Sequence, residues 1–589
     1  MMQKRFKIEG RQIILHTPGS ICTTAGELLH SEVFSRVVGL YCKTLQEQDS
    51  PLWAVFTDLF GQDCPEKIVS LLIQLADVPL PQLAREHPEI QSLLNKPQQL
   101  RLHEFVEGLY DFWRSFDRFM VLHSEPGKSS FERRPYRSFN VTVETLTHIV
   151  RGTYRDICEN ITGDHPRIYR QVSAGCDIGL IAVPRPTTLP EAYASLLNPI
   201  SFIRQVWIAP PMIIDPPMNK RTGEFQKVDK NPIDGLTLEP DKWLCYPAQV
   251  GPLVIFVYFH QHMMDLGCAL SNLFELATEE QIKNGPDAVY LFGVHPDFMK
   301  RFGDLPTVFY EDTQNNLLVA AVPCEPRFGY FGYLKKMILT LHNIAMMKKD
   351  RMPYHGAMVK ITLKSGKSAN IALIGDTATG KSESLEAFRT IGKGSIRELR
   401  IIADDMGSFE IDADGRIRGY GTEIGAFVRL DDLQAGYAFE QIDRAIIMSP
   451  QKINARVVLP VTTLDEVLQG YPVDYILYAN NYEQVDRDHP ILERFDGPQK
   501  ALQVFREGAS MSKGTTTSSG LVHNYFANIF GPPQYKDLHN GLAEKVFQSA
   551  FKKGLFVGQL RTRLGIDGFE TLGPQEAARA LFEQISANN

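Results

Sequence analysis

The chain has 589 residues, of which 43% are hydrophobic and 22% are charged, so it can form two or three globular domains. Its formal net charge of −7 argues against a general nucleic-acid-binding surface, although a local basic pocket is compatible with it. The eight cysteines show no C-x-x-C spacing, and neither the N-terminal segment nor any apolar run is typical of an export signal or a membrane span. We therefore expect a reduced, cytoplasmic protein that contacts neither membrane nor nucleic acid.

Residues 1–138 are predicted to form a helical N-terminal region and a linker. Apolar side chains recur at helical spacing between about residues 26 and 123, as at Leu29, Val33 and Val37. A basic, polar segment at 125–138 follows and is typical of a linker or an exposed loop. Its arginines could contact a phosphate, or they could simply be solvated.

Residues 139–327 are predicted to form a mixed α/β domain on the substrate side of the protein. A helical pattern covers 142–160, and strand-like apolar runs occupy 178–183 and 253–258. The proline-rich stretch 210–240 predicts a long loop, which is uncommon in a compact domain unless it has a function or lacks order. It could be a substrate-side lid or a surface insertion.

Residues 328–589 contain nearly all the motifs with recognisable chemistry. Two predicted strands, 358–363 and 369–374, precede the sequence GDTATGKSES, which has the G-x-x-x-x-G-K-S spacing of a phosphate loop. In such a loop the backbone amides surround phosphate oxygens, the lysine neutralises the outer phosphates and the serine hydroxyl binds Mg²⁺. A predicted helix at 383–389 adds the positive end of its dipole. The predicted nucleotide-binding residues are Gly375, Asp376, Thr377, Ala378, Thr379, Gly380, Lys381 and Ser382.

Two adjacent carboxylates, Asp404 and Asp405, follow an apolar run and so lie at the predicted end of a strand. An acidic residue in this position beside a phosphate loop usually holds Mg²⁺, and a second one could orient a nucleophile or accept its proton. The alternative is a pair that caps a turn. The dipeptide Asp414–Gly415 a few residues later predicts a β-hairpin rather than a chemical role.

Upstream of the loop, Lys335 and Lys336 follow a cluster of glycines and aromatic residues, and His355 precedes the first predicted strand. Considered separately, the lysines would be a solvated helix face and the histidine a structural residue. Their order along the chain favours a shared site: a lysine pair, a histidine, a phosphate loop and an aspartate pair.

This order resembles that of the phosphoenolpyruvate carboxykinase superfamily, which also includes the HPr kinase/phosphorylases. The resemblance implies an α/β (mixed α+β) architecture with a carboxykinase-like P-loop nucleotide-binding core, here with an additional N-terminal helical region. It aligns Tyr330 with the tyrosine that precedes the lysine pair, and it implies that Lys336, His355 and Asp405 bind a transition metal such as Mn²⁺. A lysine can do so only as the neutral amine, which requires a strongly lowered pKa.

The resemblance extends over about residues 328–533. The segment EIGAFVRL is similar to a conserved run of the family and aligns Glu423 and Arg429 with its acidic and basic members, while YPVDYI is similar to its tyrosine–proline segment. The stretch 513–531 is similar to the nucleotide-side C-terminal region. The arrangement is also similar to an uncharacterised bacterial family of carboxykinase-like proteins.

Three departures affect the side of the site that would hold the second substrate. Leu468 occupies the position of the family's catalytic arginine, and Met406 follows the aspartate pair where a glutamate is usual. The family's substrate-binding threonine–glycine–arginine–serine motif has no clear counterpart, and residues 221–223 offer only RTG. Because a dicarboxylate is best bound by planar guanidinium groups, the acceptor side of this site is expected to differ from that of the carboxykinases.

The resemblance implies an ATP-dependent phosphotransferase, or one that uses another nucleoside triphosphate. Its acceptor is unidentified, and an oxaloacetate-like acid is one candidate. Lys381, Asp404, Lys335 and Arg429 are its expected catalytic residues. Mg²⁺ would be bound by Ser382 and Asp404, and a second metal such as Mn²⁺ by Lys336, His355 and Asp405. Two alternatives remain: a protein serine kinase similar to HPr kinase, and a nucleotide-binding sensor without catalytic activity.

Overall fold

The computed structural model describes residues 5–61, 64–124, 135–185, 187–221, 225–304, 306–376, 379–381, 383–384, 387–388, 394–430, 439–513 and 519–587. The chain forms a mixed α/β structure with large mixed sheets. It divides into two compact units. Unit 1 comprises residues 1–184 and 203–209, and unit 2 comprises residues 185–202 and 210–589. The predicted linker at 125–138 falls largely outside the described residues.

The first two strands of unit 1 form an antiparallel hairpin. The second, third and fourth strands run parallel to one another. The strands are Arg5–Glu9 (β1), Gln12–Thr17 (β2), Asp117–His123 (β3), Ile178–Val183 (β4) and Ser201–Ile208 (β5), of which residues 203–208 belong to this unit.

Seven helices supply most of the core of unit 1. They are Ala25–Leu29 (α1), Glu32–Glu47 (α2), Pro51–Phe60 (α3), Cys64–Asp77 (α4), Leu80–Glu86 (α5), Lys96–Arg114 (α6) and Pro135–Thr162 (α7). Ser31 and Ser50 cap α2 and α3 by accepting hydrogen bonds from backbone amides. The prediction of helical structure is met here, but it was wrong for residues 117–123, which form β3. Six of these seven residues are buried, and the short apolar run FMVL within them fits either periodicity.

The first sheet of unit 2 contains three neighbouring parallel strands, whose carboxyl ends therefore lie at the same edge. Its strand order is β8-β9-β11-β13-β12-β7, and β10 pairs with β8. The strands are Gln226–Val228 (β7), Trp243–Val250 (β8), Leu253–His260 (β9), Glu275–Leu276 (β10), Ala288–Val294 (β11), Val308–Asp312 (β12) and Leu317–Pro323 (β13). The accompanying helices are Glu191–Leu197 (α8), Met264–Ala269 (α9), Glu279–Asn284 (α10) and Pro296–Met299 (α11).

The second sheet of unit 2 carries the candidate site and has the order β22-β18-β17-β14-β15-β23-β27-β24, with β16 beside β14. Its strands are Met352–Leu363 (β14), Ser368–Ile374 (β15), Ile396–Ala403 (β16), Met406–Ile411 (β17), Ile417–Gly421 (β18), Tyr471–Pro472 (β22), Tyr475–Asn480 (β23), Leu492–Arg494 (β24) and Phe556–Arg561 (β27). The helices of this part are Phe331–Lys348 (α12), Leu464–Leu468 (α13), Pro498–Glu507 (α14), Lys536–Lys552 (α15) and Leu572–Ala587 (α16).

Two smaller sheets complete unit 2. A four-stranded sheet joins Met212–Ile214 (β6) with Gly425–Arg429 (β19), Ile446–Met448 (β20) and Arg456–Pro460 (β21). Ala509–Lys513 (β25) and Ser519–His523 (β26) form a hairpin. The stretch 210–240 is therefore not a continuous loop, because β6 and β7 each pair in parallel with a strand from a distant part of the chain.

The predicted strands on both sides of the turn before the phosphate loop are confirmed as β14 and β15, and β14 begins earlier than predicted, at Met352. The hairpin at Asp414–Gly415 is also confirmed, since it joins β17 and β18. Within the described residues, no helix combines the length and apolar character needed to cross a membrane.

Candidate functional site

Three segments of the predicted site meet at one point on β14. The Gly375 amide at the start of the phosphate loop donates to the His355 carbonyl oxygen at 3.1 Å, and the Gly356 amide donates to the Asp405 carbonyl oxygen at 3.0 Å. Because β14 pairs with β15 on one side and with β16 and β17 on the other, the loop and the aspartate pair lie on opposite sides of His355. Sheet register thus brings together residues that are well separated in the sequence.

Two positions of the loop require glycine because other side chains lie very close to the backbone there. Gly380 has a φ of +89°, and a Cβ atom there would lie 2.7 Å from the Thr562 side chain. At Gly375 a Cβ atom would lie 2.4 Å from the Thr379 hydroxyl oxygen. The Thr562 hydroxyl also donates to the Thr379 carbonyl oxygen at 2.6 Å, so the residue after β27 supports the loop. The predicted loop residues Thr377, Ala378 and Ser382 lie outside the described part of the chain.

Lys381 is buried beneath its own loop. Its Nζ donates to the carbonyl oxygens of Gly375 and, at 2.9 Å, of Asp376. Burial lowers the pKa of Lys381, and the neighbouring carboxylates of Asp405, Asp376 and Asp404 oppose this shift. The lysine is therefore close to both acidic segments that could accompany a metal–nucleotide complex.

Helix α12 places Lys335 between two carboxylates. Its Nζ lies 2.8 Å from Asp405 Oδ2 and 3.1 Å from Glu423 Oε1, and the side chain is only 1% exposed. Burial alone would lower the pKa of Lys335, but Asp405 and Glu423 raise it, so the amine stays charged. Burial raises the pKa of Glu423 to about 8, against the effect of Lys335. Lys335 and Asp405 are therefore the persistently charged pair of this cluster.

His355 has the tautomer expected of a residue that binds a cation through Nε2. Its Nδ1 faces the Ala527 carbonyl oxygen and must carry the proton, because that oxygen can only accept. The other nitrogen, Nε2, lies 3.0 Å from Asp405 Oδ1, so a proton or a cation is needed between these two lone pairs. Two ligands at right angles around an octahedral ion, with bonds of about 2.1 Å, are separated by about 3.0 Å. The observed separation is thus that of a hydrogen bond and equally that of two neighbouring ligands of such an ion.

Lys336 differs sharply from its neighbour on the same helix. Its Nζ lies 4.9 Å from the centre of the Phe530 ring, which also packs against the His355 ring. Burial, together with the positive charge of Arg221, lowers the pKa of Lys336 to about 8. A depressed pKa is what the implied role as a neutral amine ligand requires.

Two arginines close to this site could not be assigned from sequence motifs. Burial raises the pKa of Tyr330, while the positive charges of Arg456, Lys335 and Arg221 oppose the increase. Arg456 also lies over the Phe427 ring, 5.4 Å from its centre. Arg456, Lys335 and Arg221 are therefore close enough to the tyrosine hydroxyl to lower its pKa.

The position of Arg429 follows from the register of β19 and β21, where it is paired with Arg456. Alternation along β19 puts Arg429 on the same face as Phe427, whose ring lies near Lys335. No sequence motif identifies Arg456 as a site residue, because it approaches the site only through the pairing of β19 with β21. Arg221 had been considered only as part of an incomplete motif, and it belongs to the stretch that could have been a surface insertion.

A scan of the sequence against models of known protein families finds no match, and a search among curated proteins finds no relative either. The resemblance to the carboxykinase superfamily therefore depends on the motif residues described above.

Proposed function

We propose that this protein is an ATP-dependent phosphotransferase with a carboxykinase-like nucleotide-binding core. The observation that carries the proposal is the convergence of the phosphate loop, His355 and Asp405 at one register of β14. A glycine-rich turn with a buried lysine suits a triphosphate, because the lysine can exchange its two carbonyl contacts for phosphate oxygens. Asp404 and Ser382 would hold Mg²⁺, and Lys336, His355 and Asp405 a second metal such as Mn²⁺.

The residues of the site have distinct roles in this reaction. Lys381 would draw negative charge from the outer phosphates, and the bound cations would supply further stabilisation as the γ-phosphoryl group moves. The charged Lys335 fixes Asp405 through their 2.8 Å contact and keeps its second oxygen directed at His355. Burial alone would raise the pKa of Asp405, but Lys335 and His355 hold it well below its usual range. The carboxylate is thus ionised and positioned before any ligand enters.

The acceptor is proposed to be a small organic acid. Arg221, Arg456 and Lys335 place several positive charges near Tyr330, and guanidinium groups are well suited to carboxylates. With an oxaloacetate-like acid, loss of carbon dioxide would leave an enolate. Its oxygen would form a bond to the γ-phosphorus as the bond to the ADP oxygen breaks.

Calorimetric titration of the full chain with ATP and adenosine, in Mg²⁺ and Mn²⁺, tests the nucleotide site. We expect ATP to bind and the Lys381→Ala variant to bind it about 10- to 100-fold more weakly, because a charged hydrogen-bonding group is lost. Lys364→Ala is the control, since Lys364 is exposed at the end of β14. Absence of nucleotide binding by the unmodified protein, or equal affinity in Lys381→Ala, would contradict the proposal.

Assays with γ-labelled ATP then separate the possible acceptors. Formation of phosphoenolpyruvate from oxaloacetate, or label on another small organic acid, supports the proposed reaction. Label on a polypeptide serine would instead identify a protein kinase. Tight nucleotide binding without turnover on any acceptor would identify a sensor.

A further inference from the structure

We infer that His260, His262 and Cys324 of unit 2 form a Zn²⁺-binding site that is separate from the proposed nucleotide site. Each residue offers one ligand atom, and these three atoms all lie within 4.8 Å of one another. Two imidazoles and a thiolate are the donors that Zn²⁺ prefers in proteins. The proposed nucleotide and metal residues contain no sulfur ligand, so the two sites differ in chemistry.

The sheet topology creates this cluster. His260 ends β9, and Cys324 directly follows β13. Both strands are parallel neighbours of β11, so their carboxyl ends lie at the same edge. His262 is added by the short turn of helix that begins immediately after β9. Ligands at the ends of rigid strands are held in place before a metal arrives, which lowers the cost of binding.

A bulge in β11 makes room for the cluster. Gly293 has a φ of +106°, and the strand register shifts at this residue. A Cβ atom at Gly293 would lie 2.8 Å from His260 Cβ, so a larger residue would press on the histidine. The Cys324 amide donates to the Val294 carbonyl oxygen at 2.7 Å, which fixes the backbone of the cysteine beside the bulge. Bulges of this kind often position functional side chains.

The observed distances fit a tetrahedral zinc ion. Cys324 Sγ lies 3.6 Å from His262 Nδ1. With a Zn–S bond of about 2.3 Å and a Zn–N bond of about 2.1 Å, tetrahedral geometry also separates sulfur and nitrogen by about 3.6 Å. The rings of His260 and His262 have their centres 4.5 Å apart, so both imidazoles lie beside the position that such an ion would occupy. The fourth position would be taken by water, as in zinc sites with three protein ligands.

Exposure also distinguishes this cysteine from the others. The structure describes all eight cysteines; seven of them are buried, while Cys324 is partly exposed and can be reached by a metal ion. A second cluster, His103, Glu107 and Cys158, is less suitable because Glu107 already accepts a 2.6 Å hydrogen bond from the Tyr154 hydroxyl. Burial and the nearby Glu107 carboxylate also raise the pKa of the Cys158 thiol, which disfavours the thiolate that a metal needs.

Titration of the metal-free, reduced full chain with Co²⁺ tests the inference, because a cysteine ligand gives a thiolate-to-cobalt charge-transfer band. We expect this band at one Co²⁺ per chain, and we expect Zn²⁺ to abolish it by displacement. Cys324→Ser should remove the band, and His262→Gln should weaken Co²⁺ binding at least about tenfold, as for the loss of one good interaction. The matched control is His295→Gln, an exposed histidine that follows β11 at the same edge, which should leave the titration unchanged.

Circular dichroism and thermal melting of each variant establish that it is folded. Absence of the charge-transfer band in the unmodified protein would overturn the inference. So would a band that persists in Cys324→Ser or that disappears in Cys158→Ser instead. None of these results depends on nucleotide binding, so failure of the zinc site and failure of the proposed phosphotransferase activity can be distinguished.

Discussion

At the scale of single residues, the adjacent lysines of α12 do different work. Successive residues on a helix point about 100° apart, so Lys335 enters the carboxylate cluster while Lys336 faces the ring of Phe530. The first lysine remains charged and structural in character. The second has a lowered pKa and lies beside Arg221. The two lysines are adjacent in the sequence, but their amines thus differ in environment and in pKa.

Replacement of Lys335 with Met should destabilise the protein by about 3 kcal/mol, because the ionised Asp405 carboxylate loses its buried cation and Glu423 loses its hydrogen-bond donor. Urea unfolding followed by circular dichroism measures this change. Lys349→Met at the end of the same helix is the control. Lys349 pairs with Asp287, is 54% exposed, and should change stability by less than about 1 kcal/mol. Equal effects of the two substitutions would show that Lys335 is not the cation that stabilises this cluster.

Sequence motifs predicted the residues along the centre of the site but not those on its far side. Gly380, Lys381 and Asp405 were candidates because each belongs to a short pattern with a known chemical use. His355 became a candidate only through its order relative to these motifs. Arg456 belongs to no such pattern, and it approaches Tyr330 only because β19 and β21 pair. Contacts of this kind depend on strand pairing, which residue order does not reveal.

At the scale of elements, β14 is the part of the fold that organises the site. Its first half pairs with β17 and its second half with β16. The two aspartates occupy the break between those strands, directly opposite His355. The loop after β15 is supported from a different direction, by Thr562 at the end of β27. Its shape therefore depends on a contact between elements as well as on glycine.

Gly380→Ala should destabilise unit 2 more than Gly366→Ala, although both glycines have a φ of about +90°. At Gly366, in the turn between β14 and β15, nothing lies within 4 Å of an added Cβ atom, so only backbone strain of about 1–2 kcal/mol is expected. At Gly380 the added atom also meets Thr562, and such overpacking costs about a further 1–3 kcal/mol. Urea unfolding of both variants gives the difference, and equal losses would mean that the Thr562 contact does not constrain the loop.

At the scale of the whole molecule, the sequence predicted local structure better than it predicted the pairing of distant strands. The hairpin of β14 and β15 before the phosphate loop is local, so its sequence signals were sufficient. The four-stranded sheet was not predictable, because β6 and β20 are distant in sequence and β6 has only three residues. The cluster of His260 and Cys324 was missed for the same reason: the two residues become neighbours only when β9, β11 and β13 align.

Two buried histidines of unit 2 connect its folding to pH. His342 on α12 donates from Nδ1 to Asn343 Oδ1 at 3.1 Å, while its Nε2 is buried without a hydrogen-bond partner among the described residues. His539 on α15 donates from Nε2 to the Pro353 carbonyl oxygen at 2.9 Å. Burial lowers the pKa of both side chains to about 4. Each of these side chains is therefore neutral in the folded protein at pH 7.

We expect unit 2 to lose stability as the pH falls from about 6.5 to about 4, because the unfolded chain then binds protons that the folded histidines do not. The stabilisation is complete above the unfolded pKa and is lost as the pH falls through the folded one. At pH 5 the loss is about 2 kcal/mol for each histidine, since one pKa unit corresponds to about 1.4 kcal/mol. Urea unfolding at pH 7 and pH 5 measures the loss of unfolding free energy. His342→Gln should remove about half of the part of this loss that the two histidines cause. His295→Gln, at an exposed site, should leave the loss of unfolding free energy unchanged. His342→Gln and the unmodified protein could instead lose the same free energy of unfolding between pH 7 and pH 5. That result would show that His342 is not held neutral in the folded state, because replacing a neutral buried histidine must make the protein less sensitive to acid.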